Sequence, residues 1–392
     1  MRTIARLVAI CVFALLGGCL APARIPYQAG AAATADIEGF DAIRTYADST
    51  GSLPRARAWL PASQRRRMNY LVLSGGGAGG AFSVGALKAW SDKGGRPQFD
   101  IVSGVSTGAL IAPFAFLGPA YDETLVELYT SGLAEKLVDV GFLPAGLLGA
   151  SLLKQEPFRE LVERYLTRDI MANIAAEHRK GRRLLVLTSN LDSQRAVIWN
   201  LGAIADSDGP DALKLFRDIV MASASLPGLY PAVLIKARAG KQVVEEMHSD
   251  GGSASQILTI PEGWIANADK EQWPSRARLN MYILVNNALM PEFAMTANNT
   301  FIVMARASSS LIKAQTRTAL LATYAYAKKT GIRFRMASID KEVPYEMTNP
   351  FDTSYMRAVY KLGYDGMTGD SFWKDRPSFS DATADTPQAP AR

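Results

Sequence analysis

The chain is short of cysteine, of histidine and of long apolar runs, and each shortage removes a class of protein. Only Cys11 and Cys19 occur in 392 residues, so a disulfide-stapled scaffold is excluded. The apolar run Leu7 to Leu16 covers ten residues, about half the roughly 20 that a spanning helix requires, which excludes a polytopic membrane protein. Charge of one sign is also scarce: 43 Lys+Arg against 37 Asp+Glu leave a formal +6. With no nucleic-acid motif, that mild excess fits an anionic membrane surface and no more, and no nucleic-acid partner is expected. No internal repeat of useful period appears. What remains is 48% hydrophobic and 20% charged, enough to build one large α/β domain with dispensable ends.

The first residues carry an address. Arg2 and Arg6 precede the apolar run, which has the length of a signal-peptide core. The run ends in Leu16-Gly17-Gly18-Cys19, which resembles the lipobox of bacterial lipoproteins. That resemblance implies a signal peptide over 1–18, acylation of Cys19, and an exported lipoprotein of the bacterial cell envelope, at the outer membrane. An ordinary signal peptide with a chance cysteine is the alternative. Cleavage before Cys19 also removes Cys11, so no disulfide is possible within one mature chain, and the formal charge falls from +6 to +4 with the loss of Arg2 and Arg6.

From Cys19 to Arg67 the composition, rich in Ala, Pro, Gly and Ser and closing on Arg65-Arg66-Arg67, reads as a lipidated tether. The main domain is expected over 68–369 and a disordered tail over 370–392, where Asp, Pro, Ser and Ala dominate. Within the domain, Met68 to Leu73 reads as a buried strand entering a glycine-rich turn and a helix over 80–90. Phe99 to Val105 is a second strand entering a glycine-flanked turn and an apolar helix. Pro157 to Leu166 is an amphipathic helix with Phe158, Leu161, Val162, Tyr165 and Leu166 on one face. Further strands are expected over 183–189, 196–200, 243–247 and 281–285. The alternation predicts a three-layer α/β/α sandwich with a largely parallel central sheet.

Three motifs carry chemistry. Gly104-Val105-Ser106-Thr107-Gly108 lies between a predicted strand and a predicted helix, the setting of a nucleophile elbow, where glycines two residues either side of the serine permit a tight turn. Ser74-Gly75-Gly76-Gly77-Ala78-Gly79-Gly80 also joins strand to helix, and consecutive glycines allow backbone N–H groups to converge as an oxyanion hole needs. The same stretch formally fits a dinucleotide loop at Gly75, Gly77 and Gly80, with Asp100 at about the required spacing but at the start of its strand instead of the end. Asp250-Gly251-Gly252 places a carboxylate at a strand end. Histidine offers little alternative, because only His178 and His248 exist and none follows His248, where a Ser-Asp-His order requires one. His248, with an earlier acid such as Asp192, stays open as a base; His178 reads as a surface residue.

Taken in this order, the glycine loop, the elbow at 104–108 and Asp250-Gly251-Gly252 resemble the patatin-like phospholipase family, as do Ala222 to Pro231 and Leu191 to Arg195. The resemblance spans about residues 68–340. It implies a Ser106–Asp250 dyad without histidine, an oxyanion hole from Gly75, Gly76 and Gly77, an acyl-enzyme intermediate, and hydrolysis of phospholipid or other lipid esters with no metal or other cofactor. One departure stands out: the family usually carries Arg or Lys where this chain has Gly79. That keeps open an acyltransferase on the same fold, or a membrane-anchored lipid-binding or partner-binding protein of weak activity. The segment Val140 to Leu148 is expected as a lid or as a buried connection. Oligomeric state is not legible.

Overall fold

The computed structural model describes residues 24–49, 58–59, 67–137, 153–209, 211–267, 278–293, 295–341, 343–345 and 349–379. Among the described residues nine strands form one sheet: β1 Arg44–Tyr46, β2 Arg67–Leu73, β3 Ile101–Val105, β4 Arg183–Asn190, β5 Arg195–Asn200, β6 Val233–Ala239, β7 Gln242–Asp250, β8 Arg278–Ala288 and β9 Arg333–Ile339. Their order is β1-β5-β4-β3-β2-β8-β9, with the β6–β7 hairpin joined to β4. The run β4-β3-β2-β8-β9 is parallel throughout, and β1, β5, β6 and β7 add antiparallel pairs.

Period-two alternation assigns each strand's side chains to two cores, as expected for a sheet covered on both faces. Leu71, Leu73, Tyr282 and Leu284 pack under the helices Gly80–Asp92, Thr107–Leu117, Gln155–Tyr165 and Ala212–Ala224. Tyr70, Val72, Met281 and Ile283 face the other way, with residues of the long helix Thr300–Thr330 such as Leu320, Tyr326 and Ala327. The layers are therefore α/β/α, as the alternation in the sequence predicts. The amphipathic helix forms over Gln155–Tyr165 and buries Phe158 and Val162.

Both predicted ends need correction. The described part of the expected tether is built into the domain. β1 pairs antiparallel with β5, Ile37 and Ile43 are buried, and Arg44 forms a buried ion pair with Glu246. Polar composition misleads here because an edge strand of three residues is too short to show a period. Likewise residues 370–379 are not a free tail: Trp373 packs 5.2 Å from both Trp90 and Tyr282, and Lys374 bridges to Met336. Cys19 and residues 140–148 lie outside the described residues.

Candidate active site

β4 supplies the frame. Over its first five residues it pairs with β3, ending at Leu187 opposite Val105. β3 stops there, and β7 takes over the same edge from the other direction, with Thr188 opposite Asp250. The end of β3 and the end of β7 therefore meet on adjacent rungs of one strand. Ser106, the next residue after β3, and Asp250, the last of β7, are brought together although 144 residues separate them in sequence, and Ser106 Oγ donates to Asp250 Oδ2 at 2.6 Å.

The elbow is as tight as its glycines suggest. A Cβ on Gly104 would lie 2.3 Å from Gly108 O, and one on Gly108 would lie 2.3 Å from Leu73 O. Ser106 itself holds φ +54 and ψ −124, a conformation that L residues rarely adopt and that costs of order 1–3 kcal/mol. Its amide donates to Ser223 Oγ at 3.1 Å, and that hydroxyl donates to Leu187 O at 2.7 Å. Ser223 sits in the 222–231 stretch that the sequence singled out, though nothing in the sequence marked this role.

Asp250 is 1% exposed. Its Oδ1 accepts from Gly252 N at 2.6 Å and its Oδ2 from Ser106. Burial penalises the charged carboxylate and outweighs those two hydrogen bonds, so its pKa rises from 3.8 to about 7. A carboxylate in that range is a competent proton acceptor near neutral pH.

The glycine loop lies against the end of β8. Asn286 clamps it: its amide donates to Ser74 Oγ and its Nδ2 to Ser74 O, both at 2.8 Å, while its Oδ1 accepts from Ser83 Oγ at 2.6 Å. Of the three expected oxyanion donors, Gly75 is a correction, because its N–H is spent on Gln256 O at 2.9 Å. The amides of Gly76 and Gly77 have no acceptor among the described residues, and their φ values of +151 and +52 suit glycine. Gly77 lines a cavity with Ser106. The position of the missing basic residue is closed as well, since a Cβ on Gly79 would lie 2.0 Å from Asn286 O.

That cavity, of about 100 Å³, is walled by apolar side chains including Leu110, Phe114, Phe158, Val162, Tyr230 and Met356. A larger one of about 390 Å³ opens at the start of β9 among Tyr324, Lys328, Arg333 and Trp373, at the opposite end of the sheet, and contains none of the three motifs.

The alternatives weighed in the sequence separate from the site. Both ring nitrogens of His248 are occupied, Nδ1 by Thr188 Oγ1 at 2.9 Å and Nε2 by Glu246 Oε2 at 3.1 Å. Trp199 Nε1 donates to Thr188 Oγ1 at 2.8 Å, so the hydroxyl proton points to Nδ1 and the ring donates from Nε2. Burial lowers the His248 pKa, and the ring is a neutral structural link with no nitrogen left for Ser106. Asp192 lies elsewhere. Burial works against its charge, but hydrogen bonds from Arg24, Tyr27 and Met247 N prevail and hold its pKa at about 2. His178 is half-buried against Gly202, not a surface residue, and burial pushes its pKa down to about 4. Asp100 accepts from Asn69 N at 2.8 Å at the start of β3, at the far end of the sheet from the glycine loop, so it offers nothing to a nucleotide bound there.

No curated protein matches the chain. Among solved structures, VipD from Legionella pneumophila is similar at 13% identity, over 80% of this chain and 68% of that one, with a TM-score of 0.38. The SpcU–ExoU complex of the Pseudomonas aeruginosa type III secretion system matches at 13% identity, over 68% and 53%, with a TM-score of 0.25. Human GIVD cytosolic phospholipase A2, solved with methyl gamma-linolenyl fluorophosphonate and terbium chloride, matches at 12% identity, over 78% and 49%, with a TM-score of 0.29. The chain thus spans about half the length of the last two. Residues 71–260 match the family model described as patatin-like phospholipase, and that span holds the glycine loop, the serine elbow and Asp250, so this part of the chain is a patatin-like phospholipase domain.

Proposed function

We propose that the protein is a serine lipid acyl hydrolase, of phospholipase A or lysophospholipase type, that works through a Ser106–Asp250 dyad. The observation that carries this is the 2.6 Å hydrogen bond from Ser106 Oγ to a carboxylate that burial has brought to about pH 7. Asp250 takes the hydroxyl proton as Ser106 Oγ attacks the ester carbonyl, and returns it to the departing alcohol as the acyl-enzyme forms. Water then attacks the acyl carbonyl, giving its proton to Asp250, and the fatty acid leaves as Ser106 is reprotonated. The negative oxygen of each tetrahedral intermediate is stabilised by the amides of Gly76 and Gly77 and by the N-terminal end of the helix Thr107–Leu117. The carbonyl end of the acyl chain enters the apolar cavity beside Ser106, whose volume of about 100 Å³ takes only the start of a fatty chain.

The same reading places the protein in the cell envelope, anchored through an acylated Cys19. Radiolabelled palmitate incorporated by the wild type and absent from Cys19→Ser is the expected result; label in both removes the anchor. For the chemistry, fatty-acid release from mixed phospholipid vesicles is compared across the full chain, Ser106→Ala and Asp250→Ala, with folding checked by circular dichroism. Loss in both variants supports the dyad, and activity in either one overturns it. A second reading on the same dyad is transfer of the acyl group to an alcohol in place of water. A fluorophosphonate that labels Ser106 in a protein releasing no fatty acid would select it.

A further inference from the structure

Phe293 and Met295 are 91% and 89% exposed. They follow β8 off the end of the sheet at which β3 delivers Ser106, since β2, β3 and β8 run parallel. The helix Thr300–Thr330 starts there too. Its 31 residues extend about 46 Å, twice the roughly 23 Å of the seven-residue β9 that it leads into. Gln315 reaches Ala254 O, just past Asp250, and Arg317 reaches Leu289 O at 3.1 Å. The turns before Gln315 therefore overhang the site end, and on them Met304 and Leu311 are 62% and 71% exposed. Between Leu289 and Arg317 the charges are Arg306, Lys313 and Arg317 against Glu292, which is paired with Lys313 at 3.0 Å. Single exposed apolar residues are ordinary. A cluster of them mixed with cations at the mouth of a site is the composition of a surface that enters a lipid–water boundary. Among the described residues no helix is long and apolar enough to cross a membrane.

Arg24 and Tyr27 also lie past the site end of β4. Arg24 donates twice to Asp192, at 2.7 and 2.6 Å, and Tyr27 to the same carboxylate at 2.6 Å. Asp192 follows the end of β4, four residues past the Thr188 rung that carries Asp250, and accepts from Met247 N on the β6–β7 hairpin. Cys19 lies five residues before Arg24, so the connection reaches at most about 18 Å. On the proposed reading that Cys19 is acylated, a connection this short holds the domain close to the bilayer.

We propose that this end of the molecule is seated on a phospholipid bilayer, with the 289–299 loop and the overhanging turns of Thr300–Thr330 inserted as an apolar rim and the Cys19 lipid on the same side, so that Ser106 opens towards the membrane. The seating rests on the lipid hydrolase reading for its choice of occupant, and the experiment separates the two. In the acylated full chain Cys19 is blocked and Cys11 has left with the signal peptide, so Phe293→Cys or Met304→Cys supplies the single free thiol. Labelled there with an environment-sensitive fluorophore and bound to phosphatidylcholine–phosphatidylglycerol vesicles carrying nitroxide lipids, both positions are expected to be quenched. Leu321→Cys, exposed further along the same helix at sheet level, is not. The double variant Phe293→Ser/Met295→Ser is expected to lose about tenfold in fatty-acid release from vesicles, equivalent to ~1.4 kcal/mol of apolar burial, with hydrolysis of a soluble short-chain ester unchanged. Positions 293 and 304 no more quenched than 321 overturn the proposal, as does equal loss on both substrates. Self-quenching of the labels in lipid-free solution also overturns it, by assigning the rim to a second copy of the chain. A wild type inactive on both substrates counts against the catalytic reading alone, because the quenching pattern still decides the seating.

Discussion

Replacing Asp250 with Asn should make the protein inactive and, above neutral pH, more stable. The carboxyl titrates near pH 7 in the folded chain against 3.8 as its ordinary value, chiefly because it is buried. A group whose pKa rises on folding binds its proton more tightly in the native state, so stability declines as pH climbs from about 4 to about 7 and then levels off. At roughly 1.4 kcal/mol per pH unit, the full penalty is at most about 4 kcal/mol. Asparagine carries no charge to desolvate. Its oxygen can still accept from Gly252 N and its amide can donate to Ser106 Oγ, the two contacts that Asp250 makes. The assay is urea denaturation of wild type and Asp250→Asn at pH 8.5 and pH 4. The variant should gain several kcal/mol at the higher pH and converge with the wild type at the lower. Equal stability at both values, or a variant weaker at pH 8.5, would refute the claim that burial is what tunes the base. The same titration sets an activity profile: kcat/KM on a soluble ester should rise through about pH 7 with unit slope and fall to about a tenth of its plateau at pH 6.

Ser106→Gly should remove the strain of the φ +54 backbone and raise thermal stability by about 1 kcal/mol while abolishing fluorophosphonate labelling; an unchanged or lower Tm tells against the strained elbow. Gly79→Arg, which restores the family's usual residue, should lower activity and stability together, because its Cβ would meet Asn286 O at 2.0 Å; a more active, equally stable enzyme means that the loop yields. His248→Ala should cost about 3 kcal/mol or more by emptying the space of a fully buried ring and removing its hydrogen bonds to Glu246 and Thr188. The folded fraction at low temperature should still label at Ser106, whereas a folded but unlabelled variant restores a direct role for the histidine.

Much of the site was legible because its motifs are local. Glycines at 104, 108 and 75–77 mark backbone that must pass close to other backbone, and a strand before each and a helix after each were readable from pattern. The pairing of Ser106 with Asp250 was legible only through family resemblance, since nothing local links residues 144 apart. Four things were hidden. Gly75 looks like its neighbours until Gln256 O claims its N–H. Asn286 has no signature, because one asparagine at a strand end is ordinary until the loop it clamps is in place. The stretch 24–49 reads as linker because its order comes from partners far along the chain, β5 and Glu246, which no local window contains. Burial of Asp250 belongs to the same class: the need for it follows from the chemistry, and its existence only from tertiary packing.

The meeting of β3 and β7 on neighbouring rungs of β4 also bears on how this architecture varies. Because the spacing of nucleophile and base is fixed by a single strand's ladder, the connections between them can lengthen, shorten or acquire whole insertions without shifting either group. Apart from Gly77 in the glycine loop, the helices and loops that line the cavity beside Ser106 lie within that permissive interval or beyond it. Substrate range can therefore drift by remodelling them while the reacting atoms stay in register, which separates the inheritance of the chemistry from the inheritance of its specificity.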